Sequence, residues 1–206
     1  GMTLGTCIEK GLADAASAEA KQLVAGGTEP LDAINSELIP ALDRVGRGFE
    51  AGEIYLPQLL MSAEAAGAAF EALKAGMKGD RGSEYPGKIV IATVKGDIHD
   101  IGKNIVRTLL ENYGFDVTDL GKDVPPEAVL EAASKEGVRL VGLSALMTTT
   151  VAAMAETIKL LQSKLPGIKI MVGGAVLNEE YAEQIGADFY GKDAMASVRY
   201  AKEICS

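Results

Sequence analysis

From Lys88 onward, short apolar runs alternate five times with helix-forming stretches, and few folds accommodate that order. The run 88–94 (KIVIATV) is β-branched and almost unbroken in its apolar character, which predicts a buried strand. Further strands are expected at 115–119, 140–144, 168–172 and 188–190. Helices are expected at 101–113, 126–136, 151–164, 178–185 and 194–204, with Gly114, Gly137, Pro166 and Gly186 as stop signals. Such alternation implies a parallel sheet covered by helices on both faces. Five strands suit the flavodoxin-like order 2-1-3-4-5, whose switch point lies between strands one and three. A ligand is then expected over the loops after Val94 and after Ser144.

The first 80 residues differ in kind. Alanine, leucine and glutamate dominate them and β-branched runs are absent. Thr28 is a candidate N-cap, with Pro30 in the first turn. Leu31, Ile34, Leu38, Leu42, Val45 and Phe49 follow at spacings of three and four, a single helical stripe. Gly52 ends that helix and Pro57 opens the next, which carries a second stripe of Leu56, Leu59, Leu60, Ala63, Ala66, Phe70 and Leu73. A bundle of three or four helices is expected. The stretch 76–87 (GMKGDRGSEYPG) has four glycines, a proline and several charges, the composition of a linker. The expected organisation is a helical domain over 1–80, a linker over 81–87 and an α/β domain over 88–206.

Composition excludes several classes. No apolar run approaches the roughly 20 residues of a membrane helix. No basic segment followed by an apolar one opens the chain, so nothing points to secretion. The net charge of -9 opposes phosphate backbones, which makes nucleic acid an unfavourable partner. Cys7 and Cys205 form no CxxC pair, which argues against a disulfide framework or zinc site and fits a reducing cytoplasm. His99 is the single histidine.

The loop after the first strand runs Lys95-Gly96-Asp97-Ile98-His99-Asp100-Ile101-Gly102-Lys103-Asn104. Three readings compete. It is a polar loop with an incidental histidine, a phosphate cradle, or a metal ligand with an oriented partner. Against phosphate, Gly96 and Gly102 stand too far apart for a GxGxxG or GxxxxGK[ST] pattern, and Asp97 and Asp100 would repel it. For the ligand, residues i and i+2 of an extended chain face the same way, so Asp97 can reach His99. A metal-bound imidazole usually donates its other N–H to a carboxylate. One histidine cannot hold a bare ion, but it can be one axial ligand of a metal already held by a macrocycle.

Asp97-Ile98-His99-Asp100-Ile101-Gly102 resembles the DxHxxG signature of cobalamin-binding proteins. Gly142-Leu143-Ser144-Ala145-Leu146 resembles their SxL element and Gly173-Gly174-Ala175 their GG element, in the expected order on successive βα units. The segments 38–49 and 52–63 resemble the helical cap of methionine synthase and of corrinoid methyltransferase proteins. The chain is thus similar, over almost its whole length, to stand-alone corrinoid proteins. The resemblance implies a helical bundle cap followed by a flavodoxin/Rossmann-like five-stranded parallel sheet domain.

It also implies the cofactor, cobalamin or another corrinoid, and a set of roles. His99 would be the lower axial cobalt ligand, Asp97 would hold its far nitrogen, and Thr150 would stand where methionine synthase has the serine of this relay. Gly96, Asp97, Ile98, His99 and Asp100 would line the lower corrin face, and Ile101 and Leu146 would also belong to the cofactor-binding set. Gly102, Ser144, Thr148, Gly173 and Gly174 would form the slot for the nucleotide tail, with Ala194 closing it. Phe49 and Leu56 would lie over the methyl group. The implied function is a methyl carrier that cycles between Co(I) and methyl-Co(III). A donor-specific methyltransferase, an acceptor methyltransferase of tetrahydrofolate or coenzyme M type, and a reductive activase would be its partners. The chain would not be catalytic alone, and the linker would act as a hinge.

Each residue also has a plainer reading. Phe49 and Leu56 fall where bundle core residues fall. Gly173 and Gly174 can simply turn a strand into a helix, and Ser144 and Thr148 can be local backbone caps. Met147, Met154 and Met171 suit core filling. Among functions, a cobalamin-dependent sensor, an adenosylcobalamin mutase subunit and a flavodoxin-like phosphoacceptor domain are the alternatives. The first lacks a visible DNA-binding unit, the second a matching cap, and the third an acidic cluster at the strand ends.

Overall fold

A computed structural model of the chain describes residues 1–76 and 87–205, except the side chains of Leu31, Asn35 and Ile101. The expected linker, apart from Gly87, and its hinge role lie outside the described residues. The chain divides into two compact units, Gly1–Glu84 and Tyr85–Ser206.

The first unit is helical. It contains α1 (Leu4–Glu9), α2 (Ala13–Ala25), α3 (Pro30–Ala33), α4 (Ile39–Glu50) and α5 (Leu56–Gly76). The stripe from Leu31 to Phe49 predicts one uninterrupted helix, and here the structure differs. A π-helical segment, Ile34–Leu38, joins α3 to α4, with the Ile39 N–H bonded to the Ile34 carbonyl. Pro40 is the reason. It has no N–H for the Ser36 carbonyl and its ring would collide with that group, so the turn widens. Nor does Thr28 cap the helix: Glu29 supplies the carbonyl that the first helical N–H groups of Asp32 and Ala33 meet. At the head of α5, the Gln58 side chain turns back to accept the Tyr55 N–H at 2.8 Å, half of a capping box.

α2 packs mainly along α5. Ala16 and Ala20 on α2 and Ala63, Ala65, Ala66 and Ala69 on α5 are wholly buried. Small side chains let the two helices approach closely. Leu4, Ile8, Leu38, Leu42, Leu59 and Leu73 fill the rest of this core, each worth roughly 1.5–3 kcal/mol of burial. Phe49 is half-buried, and Leu56 is 39% exposed with Leu60 beside it at 36%. The core reading of Leu56 is therefore wrong, although it lies on the predicted stripe.

The second unit is the expected α/β domain. Its strands are β1 (Lys88–Thr93), β2 (Asp116–Asp119), β3 (Val138–Ser144), β4 (Lys169–Gly173) and β5 (Phe189–Tyr190). They form one parallel sheet in the order β2-β1-β3-β4-β5. The helices are α6 (Ile101–Asn112), α7 (Pro126–Ala133), α8 (Val151–Lys164), α9 (Glu179–Gln184) and α10 (Ala194–Cys205). Only α7 stops well short of expectation, where Ser134 turns its hydroxyl back to the Leu130 carbonyl at 2.7 Å. β1 is buried along five of its six residues, as a central parallel strand covered on both faces should be.

Register decides where the strand exits lie. Thr93 of β1 aligns with Ser144 of β3, and Ser144 with Gly173 of β4. The three loops singled out by motif therefore leave the sheet side by side at its carboxyl edge.

Candidate functional site

The centre of that edge is Asp97, a carboxylate with no accessible surface. Its Oδ1 accepts the His99 N–H at 2.9 Å and contacts the His99 Nδ1 at 2.8 Å. Its Oδ2 accepts the Leu146 N–H at 2.7 Å, the Met147 N–H at 3.4 Å and the Thr150 hydroxyl at 2.7 Å. Burial alone would push this carboxyl up, but hydrogen bonds from Leu146, His99 and Thr150 outweigh it and hold Asp97 well below the usual carboxylate range. Asp97 is thus ionised, and an ionised carboxylate only accepts. The proton of the contact must then sit on the His99 Nδ1. That makes Nδ1 the donor in this contact and leaves Nε2 as the ring nitrogen that Asp97 does not engage. Nε2 has no hydrogen bond among the described residues, on a side chain 46% exposed.

Local structure explains the loop. Val94 extends β1 by a bridge to Val124, and Gly96 then turns at φ +84°. Asp97 folds back in an Asx turn onto the His99 N–H. Asp100 precedes α6, and its carbonyl accepts the Asn104 N–H at 2.8 Å. Thr150 closes the short 3-10 turn Thr148–Thr150 and bonds both Asp97 and the Met147 carbonyl. The structure therefore brings Asp97, His99 and Thr150 into one chain of hydrogen bonds.

The other predicted residues fall into three groups. Ile98 and Leu146, 64% and 39% exposed, present apolar side chains from the loops that carry His99 and the Asp97 donors. Ser144 and Thr148 stand at the same edge, and neither hydroxyl makes a hydrogen bond among the described residues, so they are not backbone caps. A Cβ on Gly102 would meet nothing within 4 Å, and one on Gly173 only the Gly191 carbonyl at 3.6 Å, so both leave open space. Gly174 differs. At φ +142° its Cβ would fall 1.8 Å from the Ala145 carbonyl oxygen, so glycine is obligatory there for the β3 and β4 exits to pass. The small-slot role expected of Gly174 is thus at least shared with a packing role. Ala194 opens α10, after β5. The side chain of Ile101 lies outside the described residues. Phe49 and Leu56 belong to the helical unit. Met154 and Met171 are buried as core filling predicts, whereas Met147 is half-buried in the site loop.

Sequence reasoning missed three contributors. The amides of Leu146 and Met147 are backbone groups, which side-chain motifs do not encode. Asp123, between β2 and α7, accepts the Gly96 N–H at 2.7 Å. Lys103, in the first turn of α6, is buried and pairs with Asp119 at 2.6 Å. Burial works against the Asp119 charge, but the Lys103 ammonium and the Gly121 N–H lower its pKa. Among the described residues, no group of three or more His, Cys, Asp and Glu side chains could hold a metal ion by itself. No described helix is long and apolar enough to cross a membrane.

Residues 87–199 match the family model of a B12 binding domain, and residues 3–74 match a second model of the same description. Dimethylamine corrinoid protein 2 of Methanosarcina mazei is 41% identical over 192 residues, 92% of this chain and 88% of that protein. A cobalamin-binding protein from Desulfitobacterium hafniense of known structure aligns with a TM-score of 0.82 at 31% identity, over 97% of this chain and 96% of that one. A chain of the methanol:cobalamin methyltransferase complex from Methanosarcina barkeri aligns with a TM-score of 0.85 at 33% identity, over 98% of this chain and 78% of that one. Two family models that together span both units, a relative 41% identical over 92% of the chain and two solved structures that cover almost all of it agree: the chain belongs to the B12-binding corrinoid proteins, and its cofactor is a corrinoid.

Proposed function

We propose that this chain is the methyl-carrying corrinoid subunit of a methyltransferase system, with His99 as the axial base of the bound cobalamin. One observation carries the reading: Asp97 engages the Nδ1 of His99 and leaves Nε2 without a partner among the described residues, on a side chain 46% exposed. The donor set fits the group. A lone imidazole with an oriented carboxylate suits a metal whose other positions a macrocycle already fills.

When bound, the corrinoid supplies the cobalt that accepts and releases the methyl group. The chain's own residues position and shield. Asp97 holds a proton on His99 Nδ1 and stabilises positive charge there. Thr150, Leu146 and Met147 keep the carboxylate from rotating. Gly96, Ile98 and Asp100 would line the lower corrin face. Ser144 and Thr148 would offer hydroxyls to the displaced nucleotide tail, in the space left by Gly102 and Gly173 and closed by Ala194. Phe49 and Leu56 would serve as apolar cover against water.

The resemblance to corrinoid proteins implies the partners. A methyltransferase delivers the methyl group and a second one removes it, to tetrahydrofolate or a thiol such as coenzyme M, while a reductive activase restores the carrier. The dimethylamine relative and the methanol complex support a methyltransferase partner. The unpaired thiols of Cys7 and Cys205 agree with a reducing, cytoplasmic setting.

The test is anaerobic loading with methylcobalamin. We expect one corrinoid retained per chain, with a visible spectrum that shifts in His99→Ala, and methyl loss only when an acceptor methyltransferase is added. No retained corrinoid, or methyl release no faster than from free methylcobalamin, overturns the reading.

A further inference from the structure

The exits of β1 and β2 are zipped together beyond the last paired strand residues. Thr93 donates its N–H to the Gly121 carbonyl at 2.9 Å and accepts the Val124 N–H at 3.1 Å. Asp123 then makes two more bonds. Its N–H donates to the Asp97 carbonyl at 2.9 Å, and its Oδ1 accepts the Gly96 N–H at 2.7 Å. Asp123 does this at φ +53°, the one positive φ outside glycine among the described residues. That region is costly for most side chains and least so for Asp and Asn. An outlier of this kind beside a site is worth a functional account.

The two bonds act on one stretch of backbone. Asp97 is held through its side chain by the β3 exit, at Leu146, Met147 and Thr150. It is held through its main chain by the β2 exit, at Asp123. With both ends gripped, the Asx turn that aims the His99 ring has little freedom.

We propose that Asp123 is a positioning residue of the corrinoid site: by fixing the backbone of Gly96 and Asp97, it sets how readily bound cobalamin takes His99 as its axial base. The inference rests on the reading of His99 as that base. Asp123 makes no hydrogen bond to the His99 ring among the described residues, and acts through the backbone of Gly96 and Asp97.

The experiment uses the full chain, loaded with cob(II)alamin, and compares Asp123→Asn with Asp123→Gly. Asparagine keeps an acceptor oxygen and tolerates the left-handed backbone. Glycine removes the acceptor but keeps the N–H bond to Asp97 and relieves the backbone cost. Electron paramagnetic resonance reads the axial nitrogen, and [15N]histidine labelling identifies it, because His99 is the only histidine. The wild type should show a doublet in place of the triplet of the unlabelled protein. Asp123→Asn should match it. Asp123→Gly should lower the ratio of His-ligated to unligated corrinoid about 3- to 10-fold, the worth of one ordinary hydrogen bond. In the cofactor-free protein its Gly96 amide should exchange faster by a similar factor, with an unchanged or raised thermal midpoint. If Asp123→Gly does not fold, Asp123→Ser, too short to reach Gly96, replaces it.

A wild-type ratio and wild-type Gly96 exchange in Asp123→Gly overturn the positioning role. So does Asp123→Asn behaving like Asp123→Gly, since charge rather than the acceptor would then matter. A labelled wild type without the doublet overturns the axial-base reading itself, and the positioning role with it.

Discussion

The helical unit and the α/β unit bury different things. Among the described residues, the helical unit buries one polar side chain, Ser62, in a core of leucine and alanine. The α/β unit buries Thr93, Asp97, Lys103, Asn112, Thr150, Thr157 and Ser197. Exposed apolar surface shows the converse. Tyr55, Leu56, Leu60 and Met61 crowd the start of α5, whereas the α/β unit exposes chiefly Ile98 and Leu146 beside His99, and Tyr181. An apolar core tolerates change at a cost in stability alone. A buried polar network couples stability to function, because each donor left without its acceptor is penalised.

The largest break in that contrast should come from Asp97→Ala. It strands the donors of His99, Leu146, Met147 and Thr150, and should destabilise the α/β unit by about 3–5 kcal/mol, as removal of one buried charged partner does. Urea unfolding reads the loss, and the corrinoid spectrum should change with it. Leu59→Ala is the helical counterpart. The cavity should cost about 2–5 kcal/mol, yet the spectrum of corrinoid bound through His99 should keep its axial-base bands. A spectrum altered as much as by Asp97→Ala would dissolve the distinction between the units.

Acid sharpens the comparison. The folded Asp97 carboxyl titrates below its unfolded value, about 3.9. Its contribution is therefore full above about pH 4 and fades as pH falls through the folded value. Asp97→Asn should remove this part of the acid sensitivity, so its urea midpoint and that of the wild type should converge at low pH. Midpoints that stay parallel down to acid would show that Asp97 is not held ionised.

Smaller effects isolate single bonds. Thr150→Val should cost about 1.5–3 kcal/mol, the worth of a hydrogen bond to a charged group, and Thr150→Ser should restore most of it. The smallest effect belongs to Leu56→Ser, where an exposed position predicts a stability change within about 0.5 kcal/mol. A larger loss on thermal unfolding would show that Leu56 supports the helical core after all.

Much of the site was legible because local spacing encodes it. Asp97 and His99 are two residues apart, and so short a separation admits the contact without knowledge of the fold. The strand exits were legible because a parallel sheet puts all its carboxyl ends on one edge. Thr150 came only from the resemblance, since a hydroxyl 53 residues from Asp97 has no local signature. Asp123 was illegible: Gly121 and Pro125 mark a turn, but not which neighbour its carboxylate meets. The π-helical segment was signalled by Pro40, and the apolar stripe masked it, because periodicity reports the buried face and not the hydrogen-bond pattern.

The sequence by itself determined the order of elements and the switch point, and it set Asp97 within reach of His99, since these follow from periodicity, stop signals and short-range reach. Only the tertiary structure decided that Asp97 is wholly buried and ionised, that Nε2 is the nitrogen Asp97 does not engage, that Gly174 must be glycine and that Leu56 is exposed. Those facts depend on backbone donors and atoms from strands distant in the chain, which converge only when the sheet sets their register.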